Sequence, residues 1–501
     1  MPTLIKNGLV YDGTEAEPQK RDILIERKRI VFVGNAKKRK ITGETIDASG
    51  AIVTPGFIDV QAHSDHNLSI FSDPAQEHFI EEGITTIIGG NCGKSTVPFN
   101  ARSFATLADW ENHETSFSAN WTTAAEFFSA LFKKGLGVNF GTLIGLGTIR
   151  NFVLNGTARD LTDSQFGMTK KLLSDSLSAG ALGFSSGTEH ADQKNIPNFE
   201  IAEYVKIAAE YGGVYAAHLR DTGKDVGRAA REAVKVSLET GARLEISHFN
   251  PPEAFEREYE DALYELEAVS AESDVHFDVS PMGWSAVSVR MFLPEFYKRS
   301  ARNDVIEALK NKSAREHILA HLRKNHFDKV RVGRVSSPVE FLAGKKIADI
   351  AALFGTDQPE AFVRIMMMTG LSALCLVETE NGKLLKKFIR SPRSIIASNT
   401  AGTGFNEYIH SSEKRQFSKI LKETFHEEEF ALEKMIAKMT SVPAKKYRIG
   451  KRGLIREGYY ADIAILDNFA ARDVFVNGAR AMKNGEITRT RSGHILKRKN
   501  N

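Results

Sequence analysis

Three residues of metal-binding type stand far apart in the chain, each at the end of a short apolar run: Cys92 in Gly90-Asn91-Cys92-Gly93, His218 in Ala217-His218-Leu219-Arg220-Asp221, and His248 in Ile246-Ser247-His248. Thiolate and imidazole are favoured zinc ligands, and three protein ligands leave a fourth position open for water or substrate. A lone histidine in such a place is more often a hydrogen-bonded structural residue. Three soft donors converging on one rim are what point to a metal. Two further clusters occupy equivalent places, Gln61-Ala62-His63-Ser64-Asp65 after an early run and Ser398-Asn399-Thr400 after a late one. Cys375 has no such company and reads as buried filler.

These residues need a scaffold that brings distant strand ends together. Eight runs read as strands: 57–61, 85–88, 141–144, 181–185, 214–218, 244–248, 275–279 and 394–397. Amphipathic helical stretches at 163–179, 198–210, 224–240 and 253–271 follow several of them. Apolar strands alternating with such helices predict parallel βα units, and eight units fit a closed (β/α)8 barrel, whose functional side chains sit at the C-terminal strand ends. An open doubly wound sheet is the rival, but no Gly-x-Gly-x-x-Gly follows the early strands. Residues 299–393 are too long for one crossover and predict an insertion with helical pieces at 302–324, 346–354 and 358–369. Both chain ends consist of short β-branched runs with turns, including Asn7-Gly8 and Asn477-Gly478. The predicted fold is therefore α/β, a TIM barrel over 55–440 with a small β-sandwich domain formed by both termini, 1–54 and 441–501.

Composition narrows the function. The chain has 501 residues, 42% of them hydrophobic, enough for a large core. Its 67 basic and 63 acidic residues leave a net charge of +4, which does not indicate nucleic-acid binding. The basic end Lys497-Arg498-Lys499 reads as a solvated, frayed terminus. Two cysteines exclude a disulfide framework. With no signal-peptide pattern and no apolar run of about 20 residues, the chain is expected to be cytoplasmic and free of the membrane.

Several motifs resemble the amidohydrolase superfamily, and within it the N-acyl-D-amino-acid deacylase (D-aminoacylase) branch. They are 55–65 (Pro-Gly-Phe-Ile-Asp-Val-Gln-Ala-His-Ser-Asp), Gly83-Ile84-Thr85-Thr86 with Gly90-Asn91-Cys92-Gly93, the segments 180–187 and 211–221, Ile246-Ser247-His248, 438–444 and 453–462. They run in the family's order over nearly the whole chain. The resemblance implies a zinc-dependent hydrolase of N-acyl amino acids, with Cys92, His218 and His248 as ligands and His63 at a second metal position. Hydantoinase-like relatives bridge two metals with a lysine on strand four. Here that strand reads Ala181-Leu182-Gly183-Phe184-Ser185-Ser186, without one.

The pattern is broken on one side. The family's first strand-one histidine is Gln61, and its strand-eight aspartate, a metal ligand and general base, is Asn399. A neutral amide cannot take a proton from water at neutral pH. Asp65 and Asp221 are candidate substitute bases, with Asp65 read first as support for a histidine. Arg150, Arg220 and Arg393 are basic candidates for an anionic substrate, each read first as a structural ion-pair partner, while the resemblance places Asn250 (a family lysine) and Ser280 (in the family's Tyr-Pro-Tyr) among positions that help hold the substrate carboxylate. The family's His-Pro-Arg has no counterpart in His410-Ser411-Ser412. About one zinc per chain is expected, since only one half of the site keeps a full ligand set. The substrate class is a small N-acyl amino acid or related amide. Three readings stay open: a hydrolase of this kind, a metal-holding homologue without turnover, and a hydrolase redirected to another amide.

Overall fold

The computed structural model describes residues 1–498 apart from 38–41, 67, 101–118, 156–158, 191, 282–283, 301, 326, 334, 336–337, 379–381, 401–415 and 428–429. Eight parallel strands form the centre: Phe57–Asp59, Ile84–Gly89, Asn139–Gly145, Gly183–Gly187, Val214–His218, Arg243–Ile246, Val275–Val279 and Ser394–Ile396. Each pairs with the next in chain order, as in a (β/α)8 barrel. The first and last strands meet through a parallel bridge between Ala62 and Thr400. There His63 N–H donates to the Thr400 carbonyl at 2.9 Å. Below it, Asp59 Oδ1 accepts from Ser398 N–H at 3.0 Å and Oδ2 from the Ser398 hydroxyl. A buried carboxylate thus stands where a backbone ladder would otherwise close the ring.

The covering helices follow the sequence pattern closely. Asp163–Ser178 opens on a capping box between Thr162 and Gln165, and Val226–Thr240 stops at Gly241, whose left-handed φ of 70° suits a residue without Cβ. Helix Glu256–Ala268 begins after a 3-10 turn at Glu253–Phe255, so the predicted 253–271 helix is shorter than expected.

The insertion starts earlier than 299. Strands Trp284–Ser288, Leu374–Glu378 and Val330–Val332 form an antiparallel sheet, and helices Arg302–Lys310, Lys312–Leu322, Ile347–Phe354 and Gln358–Met368 pack with it around a separate core. The predicted 302–324 helix breaks at Asn311, whose side chain accepts from Ala314 N–H at 3.1 Å and caps the second half. Cys375 lies in this core, fully buried, and burial pushes its thiol pKa upward. Helix Gly382–Arg390, inside the predicted insertion, returns to the barrel, with the Phe388 ring 5.2 Å from that of Phe249 and tilted against it.

The two termini make one small domain. Strand Ile52–Pro55 runs parallel to Thr3–Val10 on one side and antiparallel to Ile463–Asp467 on the other. Its nine strands are hydrogen-bonded in one continuous sheet around a core that includes Ile5, Val53, Ile463 and Phe475. Asn477-Gly478 forms the predicted hairpin turn, with φ of 49° and 77°. Asn7-Gly8 does not turn the chain. It is a bulge within Thr3–Val10, and a Cβ on Gly8 would lie 2.4 Å from Val53.

The C-terminal segment is docked, contrary to the frayed end expected. Phe140 N–H donates to the His494 carbonyl at 2.9 Å, and Arg498 N–H to the Gly180 carbonyl at 3.0 Å. Arg498 lies over the Tyr211 ring and Lys497 over Phe128, while Lys499 lies outside the described residues. Among the described residues no helix is long and apolar enough to cross a membrane.

A buried polar network locks the small domain to the barrel. Arg452 pairs with Asp462, their side chains 2% and 4% exposed. Arg452 also donates to Asn477 Oδ1 at 2.7 Å, and Asn477 donates to Asn139 Oδ1 at 2.8 Å, at the base of the third barrel strand. Removing one partner of a buried pair strands the other charge without water. Asp462→Ala is therefore expected to cost about 3–5 kcal/mol, read as a lowered denaturant midpoint. A midpoint unchanged from the natural protein would show that the network does not hold the domains together.

Candidate metal centre

Cys92, His218 and His248 meet at the C-terminal mouth of the barrel, with one ligand atom of each lying within 4.8 Å of the others. His218 Nδ1 is 2.9 Å from His248 Nε2, and Cys92 Sγ is 3.5 Å from the same nitrogen. Cys92 and His248 adopt left-handed backbone, with φ of 54° and 38°. Such conformations cost on the order of 1–3 kcal/mol each in residues with a Cβ, and persist only where neighbours enforce them. Here they are enforced. Gly90 N–H donates to Asp65 Oδ2 at 2.8 Å, the Asn91 amide to the Val60 carbonyl at 3.0 Å, and Gly93 N–H to Ser185 Oγ at 3.1 Å. His248 N–H donates to Asp278 Oδ1 at 2.9 Å.

The site favours a thiolate. Burial pushes the Cys92 thiol up, but His248, His190 and His218 outweigh it and bring the thiol well below its ordinary range. Burial pulls His218 down, and its bonds to Cys92 and Glu189 carry it up to about 9. A thiolate facing two imidazole nitrogens in a buried pocket is a donor set that fits zinc.

The other half of the site is a neutral hydrogen-bonded group. The Gln61 amide donates to Cys92 Sγ at 3.2 Å, and its buried Oε1 has no hydrogen-bond partner among the described residues. His63 Nε2 lies 3.0 Å from Asn399 Oδ1, and Asn399 has a φ of 51°. Burial lowers the His63 pKa, which favours neutral imidazole. Burial raises the Asp65 carboxyl to about 6. Its Oδ2 holds Gly90, however, and a Cβ on Gly89 would come within 2.6 Å of Oδ1, so Asp65 supports the Cys92 loop rather than a histidine.

The cations singled out in the sequence serve other partners. Arg150 pairs with Glu200 at 2.5 Å, both buried. Arg220 engages Glu232 at 2.9 Å, Asn198 at 2.9 Å and the Ile196 carbonyl at 3.1 Å. Arg393 donates to the carbonyls of Val275 and Val269, at the N-terminal end of the seventh strand. Asn250 and Ser280 clasp each other, Ser280 N–H to Asn250 Oδ1 at 3.0 Å and the Asn250 amide to the Ser280 carbonyl at 2.8 Å. Asp221 Oδ1 accepts from Gly223 and Asp225 N–H at 2.9 and 3.0 Å, which makes it a turn former. His410-Ser411-Ser412 and Met282 lie outside the described residues.

Two groups at the site escaped the sequence reading. Glu189 Oε2 lies 2.9 Å from His218 Nε2. His190 packs 4.7 Å from the His218 ring and is among the groups that lower the Cys92 thiol pKa. Their signal was positional, two titratable residues directly after the fourth strand. Beneath the mouth, Glu245 and Asp278 form a buried acid pair. Burial raises Glu245 to about 7, and burial with the Glu245 charge raises Asp278 well above the carboxylate range.

An amidohydrolase family model matches residues 408–488. The N-acyl-D-aspartate deacylase of Alcaligenes xylosoxydans xylosoxydans is 25% identical over 98% of this chain and 94% of its own length. The crystal structure of an N-acyl-D-glutamate deacylase from Bordetella bronchiseptica, complexed with zinc and a phosphonate inhibitor, superposes with a TM-score of 0.81 at 23% identity, covering 99% of both chains. A D-aminoacylase with a binuclear metal centre, described by one-metal activation and second-metal attenuation, gives a TM-score of 0.81 at 24% identity over 99% of each chain. The likeness of fold runs the length of the chain, and in sequence the chain is similar over 93–99% of its residues to N-acyl-D-amino-acid deacylases of the D-aminoacylase type.

Proposed function

We propose that the chain is a zinc-dependent hydrolase of the amide bond of N-acyl amino acids, releasing a carboxylate and a free amino acid, with one metal per chain. The observation that carries this reading is the convergence of Cys92 Sγ, His218 Nδ1 and His248 Nε2 within 4.8 Å. When bound there, zinc supplies Lewis-acid polarisation of a carbonyl and a lowered pKa for water. The residues around it orient and exclude. Cys92 brings a negative charge that draws the cation, and the Gln61 amide steadies the sulfur from the far side. Two free, buried cysteines suit a reducing cytoplasm, where Cys92 stays a thiolate.

Single occupancy follows from the second half of the site. His63 and Asn399 bond directly to each other, and Gln61 turns an N–H toward the sulfur. A second cation would have to break both contacts and would gain two neutral amide oxygens in place of an imidazole and a carboxylate. In the related D-aminoacylase the second metal attenuates activity, which is compatible with function on one. Elemental analysis of purified protein is expected to give about one zinc per chain, and Cys92→Ala to remove most of it. Two tightly held metals would contradict this site.

Asn399 also sets the rate. It is close in shape to aspartate, so it can orient a group at the metal, but it cannot carry a proton to a leaving amine. A positioned general base is worth about 10²–10⁴ in rate. Natural turnover of N-acetyl-D-amino acids is therefore expected to be slow, and Asn399→Asp to raise it by up to about that factor at saturating zinc. Adding Gln61→His is expected to raise second-metal occupancy. Robust natural turnover that falls in Asn399→Asp would mean that another residue is the base. The same neutral pairing favours a second reading, a homologue that holds metal and ligand without turnover. It predicts zinc at one equivalent, no hydrolysis of either enantiomeric series, and a gain only in Asn399→Asp.

A further inference from the structure

The segment after the fourth barrel strand surrounds His218 on three sides. Thr188 N–H and Thr188 Oγ1 each donate to the His218 carbonyl at 3.2 Å. Glu189 Oε2 lies 2.9 Å from His218 Nε2. The His190 ring packs 4.7 Å from the His218 ring. The Glu189 carboxylate is itself fixed, since its Oε1 accepts from the Thr222 hydroxyl at 2.7 Å and from Thr222 N–H at 3.3 Å. Both ends of the imidazole are thereby assigned. Nε2 faces a carboxylate that only accepts, so it carries the proton. Nδ1 faces His248 Nε2 at 2.9 Å, on the side of the ligand set, and is the nitrogen that would give up its proton to a bound cation.

We propose that Glu189 is a positioning residue of the metal centre, holding His218 as the Nε2–H tautomer with Nδ1 presented to the cation. It is not a ligand, because it lies on the far nitrogen. A carboxylate on the distal N–H orients a metal-binding histidine and raises its basicity, and loss of such a partner costs about 10–100-fold in metal affinity. This role rests on the zinc reading above. It assigns a task to two residues, Thr222 and Glu189, that come from different barrel loops.

The test is zinc affinity of the full-length protein, measured by competition with a chromophoric chelator, together with the visible spectrum of the cobalt(II)-substituted protein. Glu189→Ala and Glu189→Leu remove the acceptor, the second with volume retained. Each is expected to bind zinc about 10–100-fold more weakly, while the sulfur-to-cobalt charge-transfer band from Cys92 persists. Glu189→Gln keeps an acceptor oxygen and is expected to recover most of the loss. Natural affinity in the Ala or Leu variant, with Cys92→Ser unable to bind, would overturn the positioning role alone. A Gln variant no better than Leu would overturn it too, by showing that the acceptor oxygen is not what matters. Undiminished binding in Cys92→Ser would remove the metal reading, and this role with it.

Discussion

A thiolate buried at the mouth of an apolar barrel has no water to solvate it, and an uncompensated charge in such a place is costly. Cys92 is 7% exposed, and the surrounding groups address that one sulfur. His248, His218 and His190 pull its pKa down, and the Gln61 amide donates to it from the first strand. The backbone that presents it is held in the left-handed region by Asp65, Asn91 and Ser185. A metal cation bound here would place positive charge directly against that sulfur.

The same constraint reaches into the barrel wall. His248 is kept in its left-handed conformation by Asp278, which shares a buried acid pair with Glu245, and Tyr447 from a C-terminal helix donates to Glu245 at 3.1 Å. Asp59 joins the first and eighth strands through Ser398, one residue before Asn399. The two sides of the metal centre thus sit on different supports. The side with Cys92, His218 and His248 rests on ionisable groups that converge. The side with Gln61, His63 and Asn399 rests on neutral groups, His63 bonded to Asn399 and Gln61 reaching across to the Cys92 sulfur.

Much of this could be read from residue order. The metal trio was legible because ligand type and strand-end position are local properties, and a parallel barrel gathers its strand ends wherever they fall in the chain. Asn477-Gly478 turned as expected because two left-handed residues suit a hairpin. Asn7-Gly8 has the same chemistry but lies where Val53 crosses closely, so packing made it a bulge. An ion-pair role for the arginines was legible but their partners were not, because a charge's partner is a tertiary fact: Glu200 and Glu232 lie on helices outside the motifs and engage Arg150 and Arg220. Glu189 and His190 were overlooked because Thr188-Glu189-His190 looks like any polar turn. The insertion's sheet was missed because three short strands separated by helices carry little alternation of their own.

The central claim is that one cation is held by one sulfur and two imidazole nitrogens, with no second metal beside it. Zinc-edge X-ray absorption of the purified protein addresses it directly. The account predicts one sulfur at about 2.3 Å and nitrogens at about 2.0–2.1 Å, with no metal neighbour. A shell lacking sulfur, or a metal–metal scattering path at about 3.5–4 Å, would contradict it.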